Sequence, residues 1–269
     1  MGLAVLAADH SVEAARAGVG DDWAASGDRL RMEAKLKELI EQLQGAAAPN
    51  LKSVVLYGSA VTPEFVAQHS DLNVLCLVER AGAPELEALH AIVEWWTRAG
   101  NPAPLVFTLD ELHRSADVFA IELFDMKQHH RVLLGEDFLG SFEVPLNYHR
   151  LQVERELRMG WLRLRQAILA APQKRKVHLS IMLASVSTFC ALFRHALFAL
   201  GQPMPETKRQ SVDALAALTG ADPSAFHAIL DLREGKRKEG QLDIEATLHT
   251  YLEFVEVVTN EADRRLEAQ

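Results

Sequence analysis

Residues 51–79, LKSVVLYGSAVTPEFVAQHSDLNVLCLVE, constrain the fold of this chain more than any other stretch. An apolar run, Val54-Val55-Leu56-Tyr57, stops at Gly58-Ser59. A looser connector follows, and Asp71-Leu72-Asn73-Val74-Leu75-Cys76-Leu77-Val78 then opens a second run with an acid. Short apolar runs bounded by turn residues read as strands. The pattern therefore predicts a strand near 52–57, a turn at Gly58-Ser59, a short helix or loop, and a strand near 71–79. Side chains two apart on a strand share a face, so Asp71 and Asn73 are expected side by side.

These residue types suit phosphate chemistry. A glycine lets backbone approach phosphate oxygens closely, and a helix start after it offers free N–H groups. The Ser59 hydroxyl adds a donor. A carboxylate such as Asp71 is a ligand for Mg²⁺, which prefers hard anionic oxygens. Asn73 offers one neutral carbonyl oxygen and two N–H donors that a cation does not want.

The ordered set of apolar strand, Gly58-Ser59, a twelve-residue step to Asp71 and an alternating strand resembles the nucleotidyltransferase superfamily related to DNA polymerase β. Its signature is a hydrophobic strand, Gly-Ser, a spacer and Asp-x-Asp. The resemblance implies that Gly58 and Ser59 hold the phosphates of an NTP, that Asp71 binds Mg²⁺ or Mn²⁺, and that Asn73 orients the ion. Asn73 stands where the family has its second aspartate. The family's third carboxylate lies on a neighbouring strand, whose counterpart here, PLVFT at 104–108, has no acid. Glu64, Asp117, Glu122 and Asp125 are the candidates to replace it. With this donor set, one ion at most is expected.

The remaining pattern orders the chain into three parts. Residues 1–27 are Ala- and Gly-rich without sustained periodicity and read as an N-terminal arm. Residues 28–144 read as a nucleotidyltransferase-like α/β domain: a helix at 28–45, the two strands, a helix at 83–99, a strand at 104–108, a capping box at Thr108–Glu111, an ambiguous segment at 118–126 and an edge strand at 130–137. Residues 145–269 carry only helical patterns, near 146–171, 175–200, 206–219, 223–235 and 243–267, which predict an all-α bundle of four or five helices. The expected fold class is thus α+β, a mixed sheet flanked by helices and followed by a helical bundle. That architecture is similar to small bacterial nucleotidyltransferases with a helical second domain, including those that adenylate aminoglycosides.

Charge and cysteine usage narrow the function classes. The net charge is −9; 17 basic and 15 acidic residues follow from Leu146 onward, against 11 and 22 before it. An acidic chain argues against general nucleic-acid binding. Cys76 and Cys190 sit inside apolar runs, with no zinc or disulfide spacing. The apolar helix near 177–200 contains Arg194 and His195 and reads as a buried bundle helix, so no membrane partner is expected and the localisation is read as cytoplasmic. Basic clusters at Lys174–Lys176, Lys208-Arg209 and Arg233–Lys238 are offered as anion contacts, or as ordinary solvated helix ends. Trp95, Trp96 and Trp161 mark either core or an oligomer interface.

Two readings follow. The first is an enzyme that transfers a nucleoside monophosphate from an NTP to a hydroxyl of a small molecule or protein. The second is a catalytically inactive nucleotide-binding or protein-interaction module on the same fold.

Overall fold

The structure is a computed structural model and describes residues 22–62, 64–65 and 71–267. The described chain divides into two compact units, one ending at Pro145 and the other beginning at Leu146.

The first unit is built on strands whose apolar residues leave no polar face. β1 (Leu51–Tyr57) and β2 (Asn73–Val78) are buried along nearly their whole length. Strands covered on both faces read as continuous apolar runs. Around them come α1 (Asp22–Ala47), α2 (Ala83–Arg98), β3 (Leu105–Thr108), α3 (Leu109–Arg114), α4 (Ala120–Gln128) and β4 (His130–Gly135). The sheet order is β3-β2-β1-β4. β1 pairs antiparallel with both β2 and β4, whereas β2 and β3 run parallel across the α2 crossover. The mixed sheet is the one the sequence predicts, with β4 at its edge.

Alternation along the strands splits the interior into two layers. Val54, Leu56, Val74 and Cys76 meet Leu36, Leu39 and Leu43 of α1 and Leu89, Ile92 and Trp96 of α2. On the other face, Val55, Leu75 and Leu77 meet Leu112 of α3, Leu123 and Met126 of α4, and Leu139 and Phe142. Trp96 is a core residue with no exposure, which answers for that indole the choice between core and interface. Burial pushes the Cys76 thiol up to about 12, so it packs as an apolar group.

Several boundaries differ from expectation. The first helix begins at Asp22 rather than residue 28, because Ala24 and Ala25 continue the helix that the amphipathic pattern starts. Residues 1–21 lie outside the described residues. The ambiguous 118–126 segment is helical from Ala120 onward: Ala120, Ile121, Leu123 and Met126 are buried at helical spacing. Thr108 and Glu111 form the reciprocal capping box that starts α3. Thr108 Oγ1 accepts from the Glu111 N–H, and Glu111 Oε2 accepts from the Thr108 N–H.

The second unit contains α5 (His149–Ala170), α6 (Arg175–Ala199), α7 (Lys208–Thr219), α8 (Ser224–Arg233) and α9 (Ile244–Glu267). Among the described residues, five helices form this bundle, against the four or five that the sequence predicts. α6 is long and apolar enough to cross a membrane, and half of its most apolar window is buried inside the bundle. Phe189 and Phe193 of α6, Phe226 of α8, and Tyr251 and Phe254 of α9 make a contiguous aromatic core. The Tyr251 hydroxyl and Ser185 Oγ are 2.9 Å apart, which satisfies the one polar atom that the tyrosine buries.

A surface pair near the end of α9 sets a measurable acid dependence. Arg264 and Arg265 donate to the Glu261 carboxylate, and those hydrogen bonds hold its pKa down at about 2, from an ordinary 4.5. A depressed carboxylate stabilises the fold fully above its unfolded pKa, and the contribution is lost as pH falls through the folded one. Glu261→Gln is therefore expected to flatten the fall in Tm between pH 4.5 and 2. The flattening comes from a lower Tm at neutral pH, modest because solvent screens the exposed arginines, with variant and wild type converging toward pH 2. A melting series against pH checks this; an unchanged acid limb would show that the pair does not persist in solution.

Candidate functional site

The site begins where β1 leaves the sheet. Tyr57 is the last residue of β1 and lies opposite Asn73 of β2 on one side and His130 of β4 on the other. Asn73, Tyr57 and His130 therefore form a row across three strands. Cross-strand partners project to the same face, and Tyr57 packs with the layer that contains Leu123 and Met126 of α4. The row faces α4.

Gly58 then turns the chain with a left-handed φ of +80°. The conformation suits glycine, since a Cβ would crowd the following carbonyl. Its N–H donates to the carbonyl oxygen of His129, 3.2 Å away, which fastens the turn to the end of α4. A methyl group built on Gly58 would come 3.3 Å from Asn73 Nδ2, so the Asn73 amide occupies the space beside this bare Cα. Gly58–Val61 is a single 3₁₀ turn rather than an α-helix start. The Ser59 carbonyl accepts from both the N–H and the hydroxyl of Thr62, at 3.1 and 3.0 Å.

Asp71 lies two residues before β2. The strand begins at Asn73, not at residue 71 as the sequence suggests, because Gly58 has already carried β1 away from the residue that would pair there. Leu72 and Val74 are both buried in the layer under α1 and α2. Asp71 and Asn73 are half-buried, as are Gly58 and Ser59. The structure thus sets the Asn73 amide beside the Gly58 turn, places Ser59 next in that turn, and puts Asp71 at the entry to β2.

Two members of this neighbourhood have no local sequence signal. Tyr57 is carried in by the β1 register; burial, and secondarily the Glu122 carboxylate, push its hydroxyl far above the usual phenol range. His130 lies within hydrogen-bond distance of the Lys127 carbonyl through Nδ1 and of Asp137 Oδ1 through Nε2, both at 3.0 Å. Asp137 is held below the usual carboxylate range, first by the Gly140 N–H and then, opposed by desolvation, by His130.

The other acids proposed from sequence separate by position. Asp110 and Glu111 serve the start of α3: Glu111 completes the capping box and Asp110 pairs with Arg114 at 2.9 Å. Asp117 and Glu64 are half-buried outside the strands. Glu122 and Asp125 stand three apart on α4 and share a side of that helix. β3 contributes Leu105, Val106, Phe107 and Thr108, and no acid.

The basic clusters of the second unit are largely tied within it. Arg209 donates to Asp231 and Glu234 at 2.8 and 2.9 Å, and Lys236 pairs with Glu234 at 2.6 Å. Arg233 donates to the Leu183 carbonyl and Arg175 to that of Leu242. His195 is fully buried, its Nδ1 2.9 Å from His149 Nε2, as a packed histidine should be.

Among the described residues, no group of three or more His, Cys, Asp or Glu side chains is arranged to hold a metal. Among the described residues, the donors that the sequence points to are one carboxylate, Asp71 at the entry to β2, and one neutral amide oxygen, on Asn73. Such a set fits a single Mg²⁺, which ordinarily keeps several waters and takes substrate phosphate oxygens beside one or two carboxylates. It does not fit a pair of ions.

Substituting Gly58 tests the turn. Gly58→Ala carries a left-handed penalty of about 1–2 kcal/mol and presses on the Asn73 amide. A Tm lowered by a few degrees is expected, together with loss of any nucleotide-induced stabilisation. Unchanged nucleotide binding would remove the turn from the site.

Among solved structures, the chain is similar to the spectinomycin adenyltransferase AAD(9) of Enterococcus faecialis, a crystal structure with ATP and spectinomycin. The match covers 87% of this chain and 99% of that one, at 14% sequence identity and a TM-score of 0.48. No family model matches the chain, and no curated protein matches it.

Proposed function

We propose that this chain is a nucleotidyltransferase-type protein. It binds an NTP over the Gly58-Ser59 turn and transfers its nucleoside monophosphate to a hydroxyl of a small molecule or protein. The observation that supports this reading is the Asn73 amide lying beside the bare Cα of Gly58 at the common end of an antiparallel pair, with Asp71 two residues before Asn73 in the chain. A side-chain-free Cα, a serine and a carboxylate at one strand end are what a triphosphate with one Mg²⁺ requires.

Each residue has a role that follows from its chemistry. Gly58 leaves the backbone accessible, and the Ser59 hydroxyl donates to phosphate oxygen. Asp71 would ligate the ion, and the Asn73 carbonyl oxygen would orient it. When bound, Mg²⁺ supplies Lewis acidity and charge neutralisation at the phosphates.

Asn73 also favours a second reading, in which the chain binds nucleotide without turning it over. An amide in place of a carboxylate removes one of the anionic oxygens a cation would otherwise meet. One experiment separates the two. Incubation with each labelled NTP and Mg²⁺ or Mn²⁺ is expected to release pyrophosphate and to raise Tm by ligand linkage. A Tm rise without pyrophosphate would establish the binding module instead. Neither effect with any NTP would overturn both.

A further inference from the structure

A tyrosine hydroxyl carried into a fold ordinarily finds a hydrogen-bond partner there. The chain has three tyrosines. Tyr148 is exposed, and Tyr251, fully buried, lies 2.9 Å from Ser185 Oγ through its hydroxyl. Tyr57 is the exception. Its ring packs in the layer that holds Leu123 and Met126 of α4, yet among the described residues its hydroxyl has no hydrogen-bond partner. The residue is half-buried rather than sealed, so a ligand can still reach it. Its place is the strand end itself. Tyr57 directly precedes the Gly58-Ser59 turn and is the cross-strand partner of Asn73, with both side chains on one face. Cβ atoms of such partners lie about 4.5–5.5 Å apart. Burial, and secondarily the Glu122 carboxylate, push the phenol far above its usual range, so the hydroxyl keeps its proton and is a donor.

We propose that the Tyr57 hydroxyl donates to a phosphate oxygen of the nucleotide bound over the Gly58-Ser59 turn, and is thus a binding residue of that site. The assignment rests on the nucleotide-binding reading of Gly58, Ser59 and Asp71. An anionic oxygen is the acceptor that a lone neutral donor in a water-poor place takes best, because charge-assisted hydrogen bonds are about twice as strong as neutral ones. The hydroxyl is already largely desolvated in the free protein, so the bond forms with little further loss of hydration and in a medium that strengthens it. It also breaks no bond within the fold. Tyr57 and Ser59 then stand on either side of the bare Gly58 in the chain as two hydroxyl donors.

Tyr57→Phe isolates the hydroxyl, because it keeps the ring that packs. Isothermal titration calorimetry of the wild type and Tyr57→Phe is carried out in Mg²⁺ with non-hydrolysable analogues of each NTP and with inorganic tripolyphosphate. The Tm of each free protein is measured alongside. Tyr57→Phe is expected to melt at the wild-type temperature or above it, since the group it removes bonds to nothing in the fold. It should weaken the analogue by about tenfold or more, the usual worth of a hydrogen bond to a charged group, and weaken tripolyphosphate by the same factor. A Tm lowered by several degrees would mean that the hydroxyl serves the fold, and would overturn the proposal. Loss of analogue affinity with tripolyphosphate unaffected would place the contact on the nucleoside and overturn the phosphate assignment. If the wild type and Tyr57→Phe bind the analogue equally, this assignment fails and the nucleotide reading stands. If the wild type binds none of the analogues, the nucleotide reading itself fails.

Discussion

Asp71→Asn is expected to abolish pyrophosphate release and to remove the Mn²⁺-dependent part of nucleotide stabilisation, with little change in the Tm of the free protein. The magnitude follows from charge. A unit negative charge about 4 Å from a unit positive one, at an effective dielectric near 20, is worth about 4 kcal/mol. That corresponds to about a thousandfold in affinity for each unit of cation charge it faces. The cost to the fold is small because Asp71 lies outside β2 and is half-buried, whereas its neighbour Leu72 is in the core. Titration of Mn²⁺ with NTP present, alongside a coupled pyrophosphate assay, checks it. Wild-type turnover by Asp71→Asn would rule out the strand-end site. Asn73→Asp should move the same measurements the other way and tighten the ion, because it adds a carboxylate on the face that Asn73 shares with Tyr57.

The second large effect concerns the bundle. Phe226 is fully buried and stacks on Tyr251, with ring centroids 4.3 Å apart and planes 10° from parallel. It also meets Phe193 and Phe254 at 5.3 and 4.9 Å. Phe226→Ala removes a ring from the junction of α6, α8 and α9, and is expected to cost about 3–5 kcal/mol. Domains of this size have only about 5–15 kcal/mol of stability, so the loss should be plain in urea denaturation and by differential scanning calorimetry. Phe226→Leu, which fills more of the volume, should cost less than Phe226→Ala. Near-wild-type stability of Phe226→Ala would mean that these helices do not pack around that ring.

Sequence reading reached much of the architecture because its signals are local. The runs at 54–57 and 74–78 are apolar at every position, which only a strand covered on both faces tolerates. Thr108 and Glu111 announce a helix start within four residues, and the structure forms both of their reciprocal bonds. The 118–126 segment was not decidable in this way: VFAIELFDM satisfies either period. Burial of Ala120, Leu123 and Met126 on one side is decided by the sheet they meet. Similarly, Arg209 reads as a free cation along the chain, yet its acids, Asp231 and Glu234, arrive from beyond the next helix start.

The candidate site divides along the same line. Gly58, Ser59, Asp71 and Asn73 are legible as a group because a turn and a strand entry lie within one short stretch of chain. The sequence by itself determined that a turn with a bare Cα precedes a strand bearing one carboxylate and one amide where two acids would bind a cation more strongly. Only the tertiary structure decided what surrounds them. β1 registers Tyr57 between Asn73 and His130, residues 57 positions apart in sequence, and α4 packs Leu123 and Met126 on the face where Tyr57 lies. Pairing register and helix docking are set by which apolar faces bury each other across the whole fold, and no short-range pattern encodes that choice.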